Sequence, residues 1–206
     1  MRMEPVDDAN PAAARYDARY RLLVFEGAQS SATAFDLIDA SLEEALDTAT
    51  RMSGSDEHLW SLALVDEEAD GTRLTWLSGM DYRDRPRSAV EWRRRARMQD
   101  RCLSRRGLRG LPLVLPDGLR VIRLFPEWVH GLPLWESFAD PYRLTETDLD
   151  LSPALAAALI AWNDAWCDRS EEEPPPAGWA SRGRELWRRL QAELEGIAEV
   201  RPDFLL

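Results

Sequence analysis

Residues 151–197 read LSPALAAALIAWNDAWCDRSEEEPPPAGWASRGRELWRRLQAELEGI. Ser152 ahead of Pro153 is a helix start: a hydroxyl that can accept from the first turn, then a proline whose missing N–H costs nothing there. Leu155, Leu159, Trp162 and Trp166 follow at helical spacing, with Ala156 and Ile160 beside them and Asp164 and Asp168 on the other side. Glu171 to Pro176 cannot continue the helix. Trp179, Gly183, Leu186, Leu190, Leu194 and Ile197 then form a second stripe, opposite Arg184, Arg188 and Glu195. Two apolar stripes joined by a short break predict a helical hairpin docked on a core.

Upstream the pattern changes period. Tyr20 to Glu26 is β-prone, Gly27 ends it, and Ala34 to Asp39 reads as a returning strand. Ser41-Leu-Glu-Glu44 has the capping-box form, and Leu42, Ala45, Leu46, Ala49 and Met52 mark one face of the helix it opens. Leu59 to Val65 and Arg73 to Ser78 are strands joined by the acidic turn Asp66–Gly71. Ser88-Ala-Val-Glu91 opens another helix, with Gly107 as its C′ residue. Leu111 to Leu115 and Leu119 to Phe125 are further strand candidates across the turn Pro116-Asp117-Gly118. Val200 to Leu206 could dock as a last strand. The order predicts an α+β fold: a mainly antiparallel sheet from two or three hairpins, packed by helices, with a C-terminal αα-hairpin. The expected organisation is a flexible lead-in at 1–18, an α+β core at 19–142 and a helical hairpin at 143–206 packed on that core, together one domain.

Composition narrows the chemistry. The chain has 206 residues, a net charge of −11 and 45% hydrophobic residues, enough for a real core. No apolar run approaches the ~20 residues that span a bilayer, the acidic N-terminus is no signal peptide, and two cysteines in separate helices fit reduced thiols. The expected location is cytoplasmic, with no membrane partner. All 26 basic residues are Arg. Without lysine there is no Schiff base, no P-loop lysine and no kinase ATP-anchoring lysine. His58 and His130 lie outside any zinc motif, no cysteine pair has zinc spacing, and no Gly-x-Ser-x-Gly elbow occurs. Neither a metal nor a cofactor is expected. Asp81, between Trp76 and the Arg-rich stretch, and His130, in a loop beside tryptophans, are the side chains to watch for acid–base chemistry.

The charge is unevenly spread. Residues 81–123 carry 13 Arg against 5 acids, between two segments that each carry 16 acids. Arg93, Arg97, Arg101 and Arg105 recur at i, i+4 on the helix opened by Ser88. Such a row could bind phosphate or nucleic acid, pair internally, or meet a protein, and the overall acidity disfavours nucleic acid. Nine tryptophans are many. Trp92, Trp162, Trp166 and Trp187 sit on helical stripes and read as core. Trp128 and Trp135, in a proline-interrupted loop with Phe138, are harder to bury and could form an interface patch.

Trp60-Ser-Leu-Ala-Leu-Val, Leu74-Thr-Trp76-Leu-Ser-Gly79, Leu134-Trp135, Leu151-Ser-Pro and Trp162-Asn-Asp-Ala-Trp166 resemble segments of small proteins of high-GC bacteria. A compact acidic α+β protein rich in aromatics is also similar to the immunity proteins that block bacterial toxins. That resemblance implies a protein partner and assigns no residue. The leading expectation is a non-catalytic factor that masks a partner protein through Trp128, Trp135, Phe138, Arg93, Arg97 and Arg101. One alternative is a small-molecule binder or lysine-independent enzyme with a pocket between the sheet and the terminal helices. The other is phosphate or nucleic-acid binding by the helix at 88–106. The oligomeric state stays open.

Overall fold

The computed structural model describes residues 18–68 and 71–206. All but Ala18 of the expected lead-in, and Ala69 and Asp70 of the acidic turn, lie outside the described residues. β1 (Arg19–Glu26), β2 (Ser31–Ile38), β3 (Leu59–Glu68) and β4 (Gly71–Ser78) form an antiparallel sheet in the order β2-β1-β3-β4. Side chains alternate across it, as the two-residue period of a strand requires. Tyr20, Leu22, Val24, Trp60 and Leu62 face α1 (Leu42–Met52). Leu23, Phe25 and Leu59 face Met98, Cys102 and Leu103 of α2 (Ala89–Leu108).

The two helix starts expected upstream, at Ser41 and Ser88, are present. Ser41 forms the full capping box with Glu44. Ser88 accepts from the Glu91 N–H, but the Glu91 carboxylate reaches one residue further back, to the Arg87 N–H. On α1 only Ala45 and Ala49 are buried, whereas Leu42, Leu46 and Met52 are exposed. The two alanines let the helix lie close on the sheet, and the larger residues are displaced to its flanks. At the end of α2, Gly107 is helical and Gly110, at φ +66°, takes the left-handed position instead. The Leu111 N–H reaches the Arg106 carbonyl and the Gly110 N–H reaches that of Gly107. This closes a Schellman motif three residues later than expected.

Residues 111–115 form no strand. β5 (Arg120–Leu124) pairs antiparallel with β6 (Leu134–Trp135) and parallel with β7 (Ala198–Arg201), giving a second sheet in the order β6-β5-β7. α3 (Pro153–Cys167) and α4 (Trp179–Glu193) are the predicted αα-hairpin. Their stripes meet Ile122, Leu124, Leu134, Ala198 and Val200 in a third core, and a short 3₁₀ turn, Asp203–Leu205, ends the chain. This core draws on both sides of a boundary at 142/143, because β5 and β6 hydrogen-bond and pack with elements that follow it. Trp162 and Trp179 stack at 4.3 Å, and each indole N–H donates to the other's carbonyl, at 3.0 and 3.1 Å. Ser152 caps α3 as expected, but the acid at that cap is Glu193 of α4, which accepts from the Ser152 N–H and hydroxyl. Asp148, upstream of the cap, accepts from the Thr145 N–H and hydroxyl.

Guanidiniums join the two sheets. Arg95 makes a two-pronged contact with Glu199 on β7, at 2.7 and 2.6 Å, and also donates to the Tyr82 carbonyl. Gln99 donates to both the Tyr82 hydroxyl and Glu199. Arg201, 3% exposed, binds Asp100 of α2 and Asp203. Trp92 and Trp187 add an edge-to-face contact at 5.8 Å.

Candidate protein-binding surface

Many arginines of α2 act within the fold. Arg94 donates to the Trp76 carbonyl and Arg106 to that of Pro112. Arg101 lies 3.8 Å over the Trp60 ring and donates to the Trp60 carbonyl and the Ser78 hydroxyl. β4 ends at Ser78, opposite Leu62, so Arg101 takes the place of a strand at this edge. Arg93 and Arg97 are exposed, and neither has a hydrogen-bond or ion partner among the described residues. Arg97 and Arg101 line a cleft with Phe138, while Arg93 does not line it.

The side chains watched for acid–base chemistry are held apart from each other. Asp81 accepts from the Arg83 guanidinium at 2.9 and 2.6 Å. Those bonds outweigh burial and hold its carboxyl below the usual carboxylate range, so it is an ionised partner of Arg83. His130 contacts Asp164 at 2.9 Å on an exposed rim. Tyr82 is the strongly shifted group: burial, with Glu199 beside it, pushes its hydroxyl well above the usual value, and it serves as an acceptor for Gln99. Among the described residues no three His, Cys, Asp or Glu side chains converge as a metal site. A groove of about 340 Å³ lies between α2, α4 and β7, lined by Trp92, Arg95, Trp187 and Glu199 among others. Its Arg95 and Glu199 are engaged with each other.

The loop aromatics divide. Trp135 is 7% exposed, stacked on Phe125 at 5.3 Å with its N–H on the Phe125 carbonyl. It anchors the loop and presents no surface, contrary to the expectation for it. Trp128 and Phe138 are 45% and 49% exposed, at different places: Phe138 beside α2 and Trp128 beside the end of α3.

Around Trp128 a surface is built from the residues up. The Asn163 amide, buried in α3, donates to the Val129 and Gly131 carbonyls at 2.7 and 3.1 Å. The Cys167 thiol donates to the Glu127 carbonyl at 3.2 Å. The loop is therefore fixed before any partner arrives. Arg169 lies 4.6 Å from the Trp128 ring centre and 3.9 Å from that of Trp166, so its charge is covered by indole faces. Val129 is exposed beside Trp128. Glu127, Asp168 and Glu171 to Glu173 are exposed around them. Along α3, Ala154, Ala157, Ala161 and Ala165 are exposed as well, and Ala161 and Ala165 line a separate groove with Pro176 and Trp179. Sequence reading missed Asn163 and Arg169. An Asn interrupting an apolar stripe between Trp162 and Trp166 was the available signal for the first. Nothing local marked the second.

The fold is α+β with a C-terminal αα-hairpin, and Trp128 is exposed beside the end of α3. Residues 120–201 match the family described as Serratia CdiI immunity protein-like. The chain is similar to that family over this segment, which holds β5 to β7, the αα-hairpin and the Trp128 loop. No curated protein and no solved structure matches the chain. Neither finding bears on the resemblance to proteins of high-GC bacteria. No helix among the described residues is long and apolar enough to cross a membrane.

Proposed function

We propose that this protein is an immunity-type factor that binds a toxin protein and masks it. The observation that carries this reading is the preformed Trp128–Val129 surface, set in acidic side chains on the outer side of α3 and lying inside the segment similar to an immunity family. An exposed indole supplies contact area at little entropic cost, and the carboxylates steer a basic partner surface toward it. We place the complex in the cytoplasm, where two thiols in separate helices stay reduced. The small-molecule alternative has one supporting observation, the groove at Trp92 and Trp187. Its two most buried charged groups, Arg95 and Glu199, are already paired with each other, which leaves the docking surface as the better-supported reading.

The test is co-expression with the product of the neighbouring reading frame. The expected result is a stoichiometric complex and relief of growth inhibition. Trp128→Ser combined with neutralisation of Glu171, Glu172 and Glu173 should weaken the complex by at least about 2 kcal/mol without changing the melting temperature. A complex that tolerates those changes, or a neighbour that neither binds nor inhibits growth, would overturn the proposal.

A further inference from the structure

A second surface lies on the opposite chemistry. A cleft of about 590 Å³ opens between α2, the end of β4 and the loop bearing Phe138, lined by Leu77, Arg94, Arg97, Arg101, Ser104 and Phe138 among others. Several partly buried guanidiniums elsewhere in the molecule are compensated by carboxylates: Arg95 by Glu199, Arg120 by Glu136, Arg123 by Asp203 and Arg201 by Asp100 and Asp203. In this cleft they are not. Arg94 and Arg101 meet only carbonyl and hydroxyl oxygens, and the Arg101 Nε is buried with no partner. Arg97 is exposed with no partner among the described residues. The one carboxylate in the lining, Asp100, is drawn away to Arg201 at 2.7 Å. Burial lowers the Arg101 pKa, and Asp56, which accepts from the indole of the Trp60 that Arg101 covers, offsets this only in part.

The apolar wall is equally unfinished. Leu77 is the residue passed over where the β3–β4 register shifts, and it is 44% exposed. Phe138 is 49% exposed and held at φ +67°, a backbone conformation unfavourable for a bulky residue. Its loop lies against α2 at Gly107, where a Cβ would meet Phe138 at 3.8 Å and Leu113 at 3.4 Å, ordinary contact distances. The fold thus holds an aromatic ring at the mouth of a positively charged cleft against a backbone cost.

We propose that this cleft is a second docking site, which takes an acidic segment of a protein partner carrying apolar side chains, with carboxylates at Arg97 and Arg101 and an apolar side chain between Leu77 and Phe138. A phosphate polymer fits less well. The donors of Arg94 and Arg101 are already directed at chain oxygens, so the cleft offers field and apolar walls more than open forks for bidentate phosphate contacts. The site is independent of the Trp128 surface, which prefers the opposite charge.

Fluorescence anisotropy of the full chain with three labelled probes tests this: a short peptide of alternating Glu and Leu, the same peptide with Gln for Glu, and a single-stranded oligonucleotide of similar length. The Glu–Leu peptide should bind. Arg97→Glu, at an exposed position that leaves folding intact, and Phe138→Ser should each weaken it at least about tenfold. Trp128→Ser should leave it unchanged. No binding by the Glu–Leu peptide, equal binding of the Gln peptide, tighter binding of the oligonucleotide, or indifference to Arg97→Glu would each overturn the proposal.

Discussion

Replacing Glu199 by Leu tests what holds the two sheets together. Glu199 and Arg95 have side chains only 13% and 11% exposed and meet through two short hydrogen bonds. Burial alone would lower the Arg95 pKa, but the Glu199 carboxylate outweighs it and the net shift is upward. Removing the carboxylate leaves a buried guanidinium whose remaining partners are the Tyr82 carbonyl, the Asp84 carbonyl at 3.5 Å and, 3.6 Å away, the Tyr82 ring. Breaking one side of such a pair costs about 3 kcal/mol, which in a chain of this size lowers Tm by about 6–12 °C. The pair itself gains little over apolar neighbours of similar volume, because its attraction is set against the desolvation of both ions. Arg95→Met in the same molecule should therefore recover all but about 1 kcal/mol. Gln99 keeps the Tyr82 hydroxyl in either variant. Urea titration of the wild type, both single variants and the double variant gives the cycle. A single Glu199→Leu cost below about 1 kcal/mol, or a double variant no more stable than the single, would refute the reasoning.

Two further outcomes follow from packing and charge. Gly183→Ala reverses the ordinary sign of that substitution: alanine favours a helix by about 1 kcal/mol, but here its Cβ would stand 2.8 Å from both Phe204 and Trp162. Both rings are locked in the stack with Trp179, so a net loss of about 1–2 kcal/mol is expected, and a raised urea midpoint would contradict the packing argument. Arg21, with Arg19 beside it, lowers the Asp36 pKa to about 2. The stability this carboxylate contributes is complete above its unfolded pKa near 4 and is lost as pH falls through about 2, at most about 1 kcal/mol because the pair is solvent-screened. Asp36→Asn should remove that part of the acid-side slope, and an unchanged slope between those pH values would count against the pairing.

The sequence by itself determined the α+β class, the first hairpins, both capped helix starts and the αα-hairpin, because each rests on interactions between residues a few positions apart. A Ser, a Glu three residues on, or a stripe at 3.6-residue spacing acts wherever the chain goes. It also determined the chemistry left out by a chain without lysine. Only the tertiary structure decided that β5 pairs with β6 and β7, that Glu193 serves the start of another helix, and that Arg95 meets a glutamate 104 residues away. The same holds for the tryptophans. Trp128 and Trp135 look alike in a loop, and what buries one and exposes the other is Phe125 and Tyr142 closing over Trp135 while Asn163 and Cys167 hold the Trp128 segment at the surface. Partner choice across long separations depends on how the whole chain closes, and no local spacing encodes which of several equivalent side chains arrives first.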